Sequence, residues 1–145
     1  MVVASPEATF GLPEALRGIY AAAGGLPRVM RNCGLQVASE IALTGRKLTA
    51  QEAKDFHLVN KISKTPKSVV AEAVELAKAV ANISPDAIIV TRASLREAWE
   101  TSSVERATVL SHERYHDALL RGDNAREGLA AFAEKRKPNW KPSKL

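Results

Sequence analysis

The chain has almost no cysteine: Cys33 is the only one among its 145 residues. A single cysteine forms no internal disulfide, which fits a reducing compartment and excludes small disulfide-stapled folds. Aromatic residues make up only 5% of the chain, and no stretch approaches the roughly 18 apolar residues of a membrane span. Residues 1–7 lack the basic region and apolar run of a secretory signal. A soluble, single-core protein that does not enter the membrane is therefore expected.

Charge is unevenly distributed, with a formal net charge of +5. Residues 126–145 contain six basic residues against two acidic ones, a local balance of +4. Such a patch attracts anions, but it lacks interleaved aromatics and any nucleic-acid-binding motif. We therefore expect no nucleic acid as a partner. A polyanionic small molecule fits the patch, and a solvated basic tail that binds nothing is the alternative.

Hydrophobic periodicity predicts a mainly helical chain with short β remnants. Apolar residues follow the helical period from residue 66 onward, and Ser84-Pro85 supplies an N-cap and a proline suited to the first helical turn. Thr49 and Glu52 have the spacing of a capping box. Strands are predicted at Met1–Ala4 and Leu58–Ile62. We expect an α/β segment over 1–62, a helical domain over 63–138 and a flexible tail over 139–145.

Six segments, in order and at matching spacing, resemble the crotonase (enoyl-CoA hydratase/isomerase) superfamily. They are Phe10-Gly11-Leu12-Pro13-Glu14-Ala15-Leu16-Arg17-Gly18 with the following Gly24-Gly25, then 38–46, 50–53, 58–62, Ser84-Pro85 and 127–138. The resemblance implies the C-terminal part of a ββα-spiral fold and its helical domain. Two positions depart from the family pattern: Ala21-Ala22 replaces a Pro-Gly step, and His57 replaces a glycine.

Glu14 matches the family's glutamate that exchanges the C2 proton of an acyl-CoA thioester. Members hold the thioester carbonyl with two backbone N–H groups; hydratases use a second glutamate to orient water, whereas isomerases can work with one. The alternative for Glu14 is a structural role in a turn after Pro13. The segments that carry the other groups would precede Met1, so we expect this chain to be a C-terminal half. A catalytically inactive remnant that keeps only the oligomerising helical domain is the alternative function.

Phe132 and Lys135 match family positions that pack on the adenine of CoA and meet its phosphates. If both lie on one helix, their i, i+3 spacing places them on one face. The alternative is a core Phe and a solvated Lys. The resemblance implies an acyl-CoA substrate, with CoA carried as part of that substrate and no separate cofactor. It also implies a homo-trimer or hexamer for the complete protein, in fatty-acid β-oxidation or a specialised, secondary-metabolite pathway.

His112-Glu113-Arg114-Tyr115-His116 matches the zinc-protease pattern H-E-x-x-H. No third histidine follows, and the surrounding helix is heavily charged, although Glu127 or Glu134 is a formal candidate for a third ligand. We therefore expect no metal site and a polar, solvated face.

Ser143-Lys144-Leu145 is the peroxisomal import tripeptide when it stands at the C-terminus. The basic flank and the resemblance to an acyl-CoA family favour the same interpretation. We therefore expect a peroxisomal matrix protein recognised by an import receptor.

Overall fold

Helices dominate the computed structural model, which describes residues 1–145. The seven α-helices are α1 (Gly25–Cys33), α2 (Leu35–Thr44), α3 (Ala50–Asp55), α4 (Val69–Ala81), α5 (Pro85–Thr101), α6 (Val104–Arg121) and α7 (Asp123–Ala133). The four strands have two residues each: β1 (Val3–Ala4), β2 (Thr9–Phe10), β3 (Leu48–Thr49) and β4 (Lys61–Ile62). The mainly helical fold class with short β remnants is thus confirmed. The chain divides into two compact units, Met1–Leu76 and Ala77–Leu145.

Two small sheets organise the first unit. β1 pairs in parallel with β4, so that Ala4 faces Ile62, and β2 pairs antiparallel with β3. Helices α1, α2 and α3 contribute the remaining apolar faces. The core consists of Ala4, Ile41, Leu48, Ala53 and Val59.

Helix α3 begins and ends with recognisable local signals. Thr49 accepts a hydrogen bond from the Glu52 backbone N–H, and the Glu52 carboxylate accepts one from the Thr49 backbone, which confirms the capping box. At the other end, His57 has φ 63°, in the left-handed region. The His57 N–H bonds to the Lys54 carbonyl and the Leu58 N–H to the Ala53 carbonyl, the two bonds of a Schellman motif. His57 therefore occupies a position that glycine favours, which agrees with the glycine of the family pattern that it replaces.

Glu72 on α4 connects its helix to β4. Its carboxylate lies 2.6 Å from the Lys61 ammonium and accepts hydrogen bonds from the Lys64 backbone N–H and the Ser68 hydroxyl, both at 2.8 Å. These contacts, with that of Lys61 the strongest, lower the pKa of Glu72 from 4.5 to about 2. Folding thus favours the charged carboxylate of Glu72 over its neutral acid form.

Acidification should therefore weaken the first unit through Glu72. Because the pKa of Glu72 is lower in the folded protein, its carboxylate stabilises the fold above pH 4.5. This stability is lost as the pH falls from 4.5 toward 2. Replacing Glu72 with Gln should flatten this dependence, as measured by urea unfolding followed by far-UV circular dichroism at several acidic pH values. Glu105→Gln, at an exposed site on α6, is the matched control. Equal acid sensitivity of wild type and Glu72→Gln would contradict the assignment.

A buried polar cluster holds the second unit together. The Asn124 side chain, 2% exposed, donates to Asp86 Oδ2 at 2.8 Å and to the Lys141 carbonyl at 3.0 Å. Its Oδ1 accepts from the Lys141 N–H at 2.8 Å. Ser84 caps α5 by accepting from the Ala87 N–H, as predicted. These bonds connect the start of α5, the start of α7 and the last segment of the chain.

Residues 139–145 contain no helix or strand, but hydrogen bonds fix parts of the segment. The Asn139 N–H donates to Glu127 at 2.6 Å, and the Trp140 indole N–H donates to the Asn82 carbonyl at 2.9 Å. The Trp140 ring lies so close to Gly128 that a Cβ there would approach it to 3.1 Å. Gly128 therefore permits this close approach.

Candidate functional site

Glu14 lies on a 3-10 helix, Pro13–Arg17. Pro13 suits the first position of this turn because its φ is already fixed near the helical value. Gly18 ends it with φ 72°. The Ile19 N–H donates to the Glu14 carbonyl at 3.3 Å, so the backbone after the turn is fixed relative to Glu14.

A small apolar cavity opens beside Glu14. It has a volume of about 110 Å³, below the roughly 300–1,000 Å³ of whole ligand pockets, so it accommodates part of a ligand. Gly25 permits the start of α1 to approach Leu12, whose Cδ2 would lie 3.1 Å from a Cβ at that position. The cavity is lined by Leu12, Glu14, Ala15, Ile19, Tyr20, Ala21, Leu26, Ala42 and Leu43. The sequence did not identify Tyr20 as a site residue.

One carboxylate oxygen of Glu14 is buried and unpaired. The side chain as a whole is half-buried, but Oε2 is inaccessible to solvent and has no hydrogen-bond partner. Burying a polar atom without a partner costs about 1–3 kcal/mol, and more for a charged group. Native structures contain only a few such atoms, and each calls for an explanation. Beside an apolar cavity, it is suited to accept a proton or a hydrogen bond from a bound molecule.

Phe132 and Lys135 differ in backbone conformation. Phe132 lies near the end of α7 and is 86% exposed, so it is not a core residue. Lys135 lies beyond the helix with φ 54°. Its N–H bonds to the Phe132 carbonyl and the Arg136 N–H to the Ala131 carbonyl, again a Schellman motif. Lys135 thus lies outside α7, so the i, i+3 argument for a shared helical face does not apply to this pair. Contacts of these residues with CoA stay a prediction.

Acidic partners neutralise part of the basic C-terminal region. Asp123 contacts Arg126 and Lys144, each at 2.7 Å, and these contacts, with that of Lys144 the strongest, lower the pKa of Asp123. The Arg136 guanidinium lowers the pKa of Glu127 to about 2. Ser143, Lys144 and Leu145 lie in this region, where the Ser143 hydroxyl accepts from the Leu145 N–H at 3.1 Å. Import through this tripeptide stays a prediction.

His112 and His116 are both exposed on α6, as predicted. Their rings stack with centroids 4.1 Å apart. No group of three or more His, Cys, Asp or Glu side chains in the structure is arranged to hold a metal ion. None of the helices combines the length and apolarity needed to cross a membrane.

Solved structures of enoyl-CoA hydratases have a fold similar to that of this chain. An enoyl-CoA hydratase from Mycobacterium tuberculosis superposes with a TM-score of 0.91 and 31% sequence identity, covering 99% of this chain and 56% of that one. The chain thus has part of the fold of a crotonase-like enzyme.

Sequence comparison defines the family. The pattern described as Enoyl-CoA hydratase/isomerase matches residues 1–143, and the chain belongs to this family. A mevalonyl-coenzyme A hydratase of Aspergillus fumigatus is 47% identical over 145 residues, all of this chain and 53% of that protein. One of Beauveria bassiana is 45% identical over 145 residues, all of this chain and 52% of that protein. The chain spans about half the length of the curated relatives it matches.

Proposed function

We propose that the complete protein adds water to, and removes it from, a short branched acyl-CoA ester, with Glu14 exchanging the C2 proton. The observation that carries this proposal is the buried, unpaired Oε2 of Glu14 beside an apolar cavity. Family membership supports the choice of a CoA thioester as the substrate.

The chemistry follows from the thioester. Its carbonyl acidifies the C2–H bond, and an enolate develops when a base takes that proton. In the dehydration direction, Glu14 takes the C2 proton while the C3–O bond breaks, and the oxygen leaves as water after protonation by a second acid. Hydration is the reverse. We assign the second acid and the N–H donors that stabilise the enolate to the part of the relatives that this chain does not span.

We further propose a mevalonyl-type acyl group, which is branched at C3 and carries a hydroxyl at its far end. Two mevalonyl-coenzyme A hydratases match the whole chain at 47% and 45% identity. The cavity beside Glu14 is small, at about 110 Å³, which suits a short acyl segment better than a long fatty chain. The pathway proposed is therefore a specialised one.

The test is an activity assay of the complete reading frame that contains these residues. The protein should hydrate 5-hydroxy-3-methylpent-2-enoyl-CoA with a higher kcat/KM than straight-chain enoyl-CoA esters, measured by loss of enoyl absorbance and by product mass. The isolated 145-residue chain, assayed in parallel, should show no substantial turnover. Absence of hydration of every ester by a folded complete protein would overturn the proposal.

A non-catalytic function is the second candidate. Apolar side chains remain exposed on the helices of the second unit: Leu95 is 67% and Val104 is 82% exposed, and both line a groove on α5 and α6. An oligomerising helical domain without activity would account for them. A folded, inactive complete protein that sediments as a trimer or hexamer would favour this candidate over the hydratase.

A further inference from the structure

The cavity beside Glu14 contains a second polar side chain. Of the side chains that line it, only Glu14 and Tyr20 carry a polar group; the others are Leu, Ile and Ala. Apolar ligand sites use a few polar groups to orient the ligand and to select it. Apart from Glu14, Tyr20 is therefore the one side chain of this cavity that can form a hydrogen bond with a ligand.

The backbone fixes Tyr20 close in space to the turn that carries Glu14. The Ile19 N–H donates to the Glu14 carbonyl at 3.3 Å, and the Tyr20 carbonyl accepts from the Ala22 N–H at 2.8 Å. These two bonds constrain the residues on both sides of Tyr20. The backbone position of Tyr20 relative to Glu14 is consequently set by local structure.

The phenol group is available for a ligand. Tyr20 is 72% exposed although it lines the cavity, so a molecule from solution can reach it. Its hydroxyl makes no hydrogen bond in the structure. A phenolic O–H can donate and accept a hydrogen bond, so it can donate to an alcohol oxygen or accept from an alcohol O–H.

We propose that Tyr20 binds the far hydroxyl of the acyl group and selects hydroxylated over plain branched acyl-CoA esters. This inference rests on the proposed function, because Glu14 must act at C2 for the far end of a short acyl group to reach Tyr20. Tyr20 is a specificity residue in this assignment, and the proton transfer at C2 does not pass through it.

The test compares two esters that differ by one oxygen, 5-hydroxy-3-methylpent-2-enoyl-CoA and 3-methylpent-2-enoyl-CoA. Wild-type complete protein should bind the hydroxylated ester at least about tenfold more tightly, and Tyr20→Phe should reduce this preference to about twofold or less. Isothermal titration measures both affinities in a Glu14→Gln background, which prevents turnover, and kcat/KM is compared in the active protein. Tyr115→Phe, on α6 in the other unit, is the matched control because the chain has only two tyrosines.

Each outcome is decisive. An equal loss of affinity for both esters in Tyr20→Phe would assign the residue a structural role and overturn the inference. An unchanged preference, or no preference in the wild type, would also overturn it. If the wild type binds selectively but hydrates neither ester, the proposed function fails while the binding comparison still decides the role of Tyr20.

Discussion

Replacing Glu14 with Gln in the complete protein should lower kcat for hydration between about a hundredfold and ten-thousandfold, the range of a single general acid–base group. The amide has nearly the shape of the carboxyl group but cannot take the C2 proton. Binding of the acyl-CoA ester should stay within about threefold of wild type, because the apolar cavity wall is unchanged. Exchange of the C2 proton with deuterated water, followed by mass spectrometry, measures the step directly.

A matched control separates this effect from a general loss of charge. Glu7 is an exposed glutamate in the same unit, and Glu7→Gln should leave kcat unchanged. Glu14→Gln should also leave the unfolding midpoint unchanged or raised, because Oε2 has no partner to lose. C2 exchange at the wild-type rate in Glu14→Gln would remove this residue from the reaction.

Asn124→Ala should lower the free energy of unfolding of the second unit by about 2–4 kcal/mol. The substitution removes three hydrogen bonds at a residue that is 2% exposed. It also leaves both carboxylate oxygens of Asp86 without a hydrogen-bond partner, since Oδ1 is already unpaired. Asp86 is itself only 5% exposed, so water cannot readily compensate.

The measurement can be confined to the second unit. Trp99 and Trp140 are the only tryptophans of the chain, and both lie between Ala77 and Leu145. Urea unfolding followed by tryptophan fluorescence therefore reports this unit. Asn139→Ala is the control: Asn139 is exposed, and its substitution should change stability by less than about 0.5 kcal/mol. Similar losses in both variants would contradict the role given to the cluster.

Local signals made most of the helical fold predictable. The capping box at Thr49 and the proline after Ser84 each mark a helix start without any tertiary information, and both begin helices in the structure. The pairing of β2 with β3 was not predicted. Each strand has only two residues, too few to show an alternating pattern, and the partners are distant in sequence.

The site was predictable only in part, for a similar reason. A motif around Glu14 pointed to one residue, whereas Tyr20 belongs to the cavity because of the turn that follows the motif. The left-handed conformation of Lys135 had no signal in the sequence, since glycine or asparagine usually marks such a helix end. Asp86 and Asn124 are polar residues of types that usually face water, so their burial became visible only with the tertiary structure.

The parallel pairing of β1 with β4 affects how the first unit can be synthesised. Val3 pairs with Lys61 and Ala4 with Ile62, so the first strand leaves the ribosome well before its partner has been translated. Closing so long a loop carries an entropic cost that the intervening helices cannot remove until they have formed. Val3 and Ala4 therefore cannot form their pairs with Lys61 and Ile62 until most of this unit has been translated.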